Sequence, residues 1–268
     1  MADSLEVLKR KTVQGHHILA MTGNMGPLTG HVFVRAPGGD QFLARCRHEG
    51  DWSPTWVGED ALHLMNFDGK PAEDLGDWTP PPERNIAMPI FKGRPDVGCV
   101  IHAHPYYQLL CGITGVPLRP ILGPAYNAAG LQAALRGIPV YPRAALIASP
   151  ELGRAVYATM GNNDVLILRG HGNVITGRTV EEAVLLAMAM EYQAQHCWQV
   201  ALTGRTPSEI SMIDIEEMLT PRQEGALESG EMNRTAVRPP GWNGSWEYHV
   251  RLLENGAKIP AEVLARNR

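Results

Sequence analysis

Residues 165–168, VLIL, place apolar side chains in sequence without a polar break, and RGHG follows at 169–172. A strand with one wet face alternates polar and apolar residues, so a run without alternation belongs to a strand covered on both faces. A second run, VGCVIHAH at 97–104, has the same character until its histidines. Two such strands require a sheet with helices on either side, which predicts an α/β domain. HVFVRAP and QFLARC, joined by GGD, read as a hairpin, and ALHLMNFDG reads as a third strand closing on a DG turn. Residues 4–22 carry Leu5, Leu8, Val13, Ile18 and Leu19 at loosely helical spacing. TPPPERNIAMPIFKGRPD, residues 79–96, reads as a helix after a proline-rich entry, with Pro89 expected to kink or end it. SPELGRAVYATMG opens with Ser149 as N-cap and Pro150 at the first helical position. Thr179 and Glu182 form a capping box ahead of a long helical stripe. After Gly204 the chain turns aromatic and turn-rich, which divides it into a domain over 1–204 and a linker and arm over 205–268.

Several function classes are excluded by composition. A net charge of −4 offers no general attraction to nucleic acid or to an anionic membrane surface. No apolar run approaches the roughly 20 residues of a membrane span. The N-terminal MADSLEVLKRKTVQ lacks the apolar core of a secretory signal. Cys46, Cys99, Cys111 and Cys197 are scattered without a CxxC spacing, and so read as buried free thiols in a reducing cytoplasm.

The chemistry is concentrated in histidines. His102 and His104 are two apart in a strand, so they project from one face and can hold one cation. His171 follows the other apolar strand between Gly170 and Gly172, where the chain can turn tightly. If the two strands lie near each other, three imidazoles converge and leave coordination positions open, the pattern of a catalytic metal site. The alternative is a set of core histidines satisfied by hydrogen bonds. The remaining histidines, His31 and His16 among them, lack such a setting and read as surface or locally bonded groups.

The order PPPERNIAMPIFKGRPDVGCVIHAHPYY, then LRGHGNVITGRTVEEAVLLAMAMEYQAQ, resembles the class II aldolase/adducin family over roughly residues 5–204. That resemblance implies a three-layer α/β/α sandwich around a mostly antiparallel sheet. It implies one divalent metal ion per chain, zinc foremost and manganese, cobalt, nickel or iron as alternatives. By matching position, His102, His104 and His171 would be the ligands, and Glu83 would take the place of the acid/base glutamate. Without the resemblance, Glu83 is equally an ordinary first-turn glutamate favoured by the helix dipole. The family also implies a homotetramer with sites at subunit interfaces, closed by Tyr126 or by the C-terminal arm of a neighbour. A metal-dependent carbon–carbon lyase results, acting on a small molecule and expelling either carbon dioxide or an aldehyde. A non-catalytic, adducin-like interaction module is the alternative of another class.

Departures from the sugar-phosphate aldolases favour decarboxylation of a non-phosphorylated hydroxy-aromatic or keto acid. Those enzymes hold phosphate with a Gly-Asn loop, a Thr/Ser-Gly turn and a hydroxyl pair before the glutamate. Here TGHVFVR stands where Gly-Asn is expected, although a separate TGN occurs at 22–24, and Pro81-Pro82 replace the hydroxyl pair. A phosphate would lose several charge-assisted bonds, each about 1.5–3 kcal/mol. Aromatic residues stand near the same segments: Trp52, Trp56, Tyr106, Tyr107 and Tyr126, with Trp242, Trp246 and Tyr248 in the arm. They read either as packing or as a pocket for a planar substrate, such as the hydroxylated aromatic acids that some relatives decarboxylate. Trp52 and Trp246 are the candidate pocket walls, and Arg35 and Arg169 the candidate partners of a substrate carboxylate.

Overall fold

The computed structural model describes residues 3–50, 53–219 and 242–256. Seven strands form one sheet in the order β3-β2-β1-β4-β7-β6-β5: β1 His31–Arg35, β2 Gln41–Arg45, β3 Leu62–Asn66, β4 Cys99–Ala103, β5 Val140–Tyr141, β6 Val165–Leu168 and β7 Gly172–Gly177. Every pairing is antiparallel except that of β5 with β6. Alternation along the strands divides the core in two. Val32, Val34, Ile101 and Ile175 face one layer of helices, which includes α1 (Leu5–Met21) and α6 (Val180–Leu202). Phe33, Val100 and Val174 face the other, made of α2 (Arg84–Gly93) and α5 (Pro150–Met160). The architecture is the expected α/β/α sandwich with a mostly antiparallel sheet.

Local signals explain three of the helix starts. The Ser4, Ser149 and Thr179 side chains accept from Val7, Leu152 and Glu182 N–H groups, satisfying donors that a helix leaves unpaired. In α6 the expected reciprocal bond is displaced: Glu182 accepts instead from the Arg178 N–H at 3.0 Å. Pro89 does not end α2, which continues to Gly93. Its ring leaves the Asn85 carbonyl without a helical donor. There Gly153 of α5 packs so closely that a Cβ on it would lie 2.1 Å from that oxygen.

Two further α-helices belong to the body: α3 (Tyr106–Thr114) and α4 (Pro124–Arg136). α7 (Met212–Leu219) and α8 (Trp242–Glu254) fall within the expected arm. α8 folds back on the helices of the body, with Trp246 only 7% exposed in the same apolar cluster as Ile18 and Leu19 of α1 and Val184 of α6. All four cysteines are buried free thiols. No helix among the described residues is long and apolar enough to cross a membrane.

Candidate metal centre

The site is assembled by sheet order. β4 does not neighbour β6; β7 lies between them. The tight β6–β7 turn nevertheless brings His171 to the end of β4, because β7 pairs Asn173 with Ala103. Gly170 takes a left-handed φ of 70° in that turn. Gly172 is pressed so close that a Cβ would lie 2.2 Å from the Ala103 carbonyl oxygen and 2.6 Å from the His104 ring.

His102 shares a sheet face with Val100, the face that α2 covers, and Glu83 stands at the N-cap of α2. The Glu83 carboxylate oxygens lie 3.3 Å from His102 Nε2 and 3.3 Å from His171 Nε2. His102 Nε2 and His104 Nε2 are 3.1 Å apart. One ligand atom from each of Glu83, His102, His104 and His171 lies within 4.8 Å of all the others. Ligands 2.0–2.1 Å from a single cation are themselves about 2.8–3.4 Å apart at right or tetrahedral angles.

Proton placement strengthens the fit. The Asn173 carbonyl can only accept, so His102 Nδ1, 2.7 Å away, carries the proton and Nε2 of the neutral ring presents a lone pair. That lone pair faces a carboxylate oxygen. Two acceptors in such contact repel unless a positive charge, a proton or a metal ion, lies between them. His104 is oriented in the same way, with Nδ1 2.8 Å from Thr29 Oγ1. The donor set therefore fits a divalent metal.

Electrostatics separates the four groups. Where a proton rather than a metal ion lies between the rings and the carboxylate, burial disfavours a charged Glu83, but hydrogen bonds from His102 and His171 outweigh it and hold the carboxyl well below its ordinary range. Burial, reinforced by the charges of His102 and His171, pushes His104 down to about 4.

None of the other proposed site residues that the structure describes joins the quartet. Arg35 lies four positions along β1 from His31, about 13 Å in an extended strand, away from the cluster. Its guanidinium donates to the carbonyls of Val97, Gly39, Phe91 and Arg94 and sits over the rings of Phe67 and Phe91. Its chemistry is thus spent on joining α2 to the sheet. Arg169 is exposed beside the His171 turn and donates to the Pro142 carbonyl. Tyr126 is exposed, with its ring 5.6 Å from that of Tyr192. Trp246 is core packing, as described above, because α8 lays it against α1 and α6. Trp52 and the side chain of Trp242 lie outside the described residues.

Three residues at the centre escaped sequence reasoning. Thr29 and Asn173 orient ligands, and their signal was adjacency: Thr29 stands in LTGH and Asn173 in HGN. The third is His31, neither a surface group nor locally bonded. It is buried opposite His102 in the β1–β4 pairing, stacks on Phe33, and places Nε2 3.9 Å from Glu83. Burial, then the charge of His102, drives its basicity well down.

Comparison with known proteins gives the arrangement its context. A family profile described as Class II Aldolase and Adducin N-terminal domain matches residues 11–198. The chain is 32% identical over 200 residues to a 3,4-dihydroxyphthalate decarboxylase of Terrabacter sp. (strain DBF63), covering 74% of this chain and 83% of that protein. A 3,4-dihydroxyphthalate decarboxylase of Rhodococcus jostii (strain RHA1) is 33% identical over 204 residues, covering 75% and 83%. Among solved structures, an aldolase II superfamily protein from Pseudomonas syringae aligns with a TM-score of 0.72 at 21% identity, covering 97% of this chain and 96% of that one. The L-fuculose 1-phosphate aldolase from Glaciozyma antarctica PI12 gives 0.70 at 17% identity, covering 94% and 91%. These structural likenesses show the shared fold. With the profile spanning most of the chain, the protein belongs to the class II aldolase/adducin family and is a lyase.

Proposed function

We propose that the protein is a metal-dependent decarboxylase of a non-phosphorylated, hydroxylated aromatic acid, with a dihydroxyphthalate as the substrate class. The observation that carries this reading is the buried quartet in which Glu83 faces the Nε2 atoms of His102 and His171 at 3.3 Å. The three imidazoles would hold the ion, zinc foremost, and leave positions for neighbouring oxygens of a substrate. A divalent cation supplies Lewis-acid stabilisation of negative charge at such a site.

Glu83 moves the proton. Held ionised by its surroundings, it accepts the proton of a ring hydroxyl next to the departing carboxylate. The carbon–carbon bond breaks, carbon dioxide leaves, and the bonding pair stays on the ring carbon. Glu83 returns the proton to that carbon, and solvent supplies the one proton consumed overall.

The entry to α2 argues against a phosphate. Pro81 and Pro82 have no N–H, and their carbonyls accept from Arg84 and Asn85 within the turn. His31 occupies the place where the sugar-phosphate enzymes carry Asn. In the homotetramer we infer from the family, the exposed Tyr126 is available to a neighbouring subunit's site. The four buried thiols suit a reducing compartment such as the cytoplasm.

The test is carbon dioxide release from 3,4-dihydroxyphthalate by the zinc-loaded protein, with the dihydroxybenzoate product followed by chromatography. Glu83→Gln should retain about one ion per chain and lose at least about a hundredfold in turnover. Cleavage of L-fuculose 1-phosphate to an aldehyde, with the aromatic acid untouched, would replace this reading with the aldolase one. Protein that binds no metal and turns over neither compound would be an interaction module.

A further inference from the structure

The two faces of the sheet divide the labour at the end of β4. His102 and Glu83 lie on the α2 side. Asn173 shares its face with Ile175 and is turned to the opposite side, toward α3 and α6. A polar chain that the reaction does not use begins there. The Ala103 N–H donates to Asn173 Oδ1 at 3.2 Å. Asn173 Nδ2 donates to Gln108 Oε1 at 2.9 Å. Gln108 Nε2 donates to Glu191 Oε2 at 3.4 Å. Asn173 and Gln108 are each 0% exposed, so these bonds have no competition from water.

The direction of this chain is fixed at its start. A backbone N–H can only donate, so the amide oxygen of Asn173 must face Ala103 and its NH₂ must face Gln108. The Gln108 oxygen is thereby used as an acceptor, and its NH₂ must find one in turn. The carboxylate of Glu191 is that acceptor. It also receives the N–H groups of Tyr107 at 2.7 Å and Gln108 at 3.1 Å. Those are two of the unpaired donors of the first turn of α3, whose N-cap, Pro105, has no side chain to offer them. A carboxylate from another helix therefore caps α3 immediately after His104-Pro105. Burial pushes this carboxyl up to about 7 against the pull of the donors.

We propose that Glu191, Gln108 and Asn173 are positioning residues that act through the sheet to set the two ligands at the end of β4, His102 within it and His104 just after it. Glu191 anchors α3 and so fixes where the chain leaves His104. Gln108 and Asn173 fix the strand pairing at Ala103, and with it the Asn173 carbonyl that orients His102 from 2.7 Å. The proposal rests on the reading of His102 as a ligand. The sequence carries no cue to it, because Gln108 and Glu191 stand 83 positions apart.

The experiment measures zinc affinity by chelator competition on the full chain, with thermal melting and circular dichroism as folding controls. Gln108→Met keeps the length of the side chain and removes both of its bonds. Glu191→Gln keeps the shape but sets an NH₂ against N–H donors. Each should fold and bind zinc 10–100-fold more weakly, the range typical for groups that orient a ligand. The visible spectrum of the cobalt(II)-loaded protein should shift as well, which a purely structural role would not cause. Folded variants with wild-type zinc affinity and an unchanged cobalt spectrum would overturn the proposal; should one variant fail to fold, the other decides. His102→Ala is the control on the parent reading. If it binds zinc as the wild type does, the centre itself has been misassigned; if it loses zinc while the other two keep it, only the positioning chain fails.

Discussion

Acid should unfold this protein partly through one histidine that is not among the candidate metal ligands. His16 of α1 is fully buried and uses both ring nitrogens. Nδ1 lies 2.9 Å from the Thr12 carbonyl, which can only accept, and Nε2 receives the Val32 N–H at 3.3 Å. Only the neutral ring satisfies both bonds. Burial pushes its pKa down from 6.5 to about 3, with the Thr12 bond opposing. The native pKa lies below the unfolded one, so as pH falls below 6.5 the unfolded chain takes a proton that the native protein refuses. Stability from this group is complete above that pH and is lost toward about 3. Between about pH 7.5 and pH 5 the loss integrates to about 2 kcal/mol, within a total near 5 kcal/mol over the whole interval. Urea unfolding midpoints should be measured across that range for the wild type and for His16→Gln, whose amide offers a donor and an acceptor but does not titrate. Subtracting one series from the other cancels the pH dependence of the histidines at the metal centre. A difference that stays flat from about pH 7.5 to 5 would refute the argument, because His16 would then be titrating alike in both states.

Two further substitutions probe the packing around the centre. Gly172→Ala sets a methyl group against the Ala103 carbonyl and the His104 ring, so the β4 end must shift; zinc affinity by chelator competition should fall at least tenfold, with about 1–3 kcal/mol lost in urea unfolding. Trp246→Ala removes a core side chain rather than a pocket wall, so it should cost about 3–5 kcal/mol of stability while kcat of the folded fraction stays within twofold of wild type.

What could be read from the sequence was what local physics decides. Ser149 and Thr179 announce their helices because a cap is a contact within four residues. The apolar runs of β4 and β6 are visible because burial on both faces removes alternation. His102 and His104 share a face by strand geometry alone. β7 was not legible as a strand: GNVITG is short, and its pairing with β4 joins residues as distant in sequence as Ala103 and Asn173. The convergence of the imidazoles was conditional on β4 and β6 lying near each other; they do, one strand apart, and the β6–β7 turn delivers His171 to the end of β4. Arg35 illustrates the opposite failure. Its residue type suits a carboxylate, but position along a strand decides which end of the sheet a side chain serves. His31, at the near end of the same strand, showed in the sequence only as a departure from Gly-Asn, and cross-strand register sets it opposite His102. Residue type thus indicated which chemistry the chain could support, while register, which no local pattern encodes, determined which side chains meet to perform it.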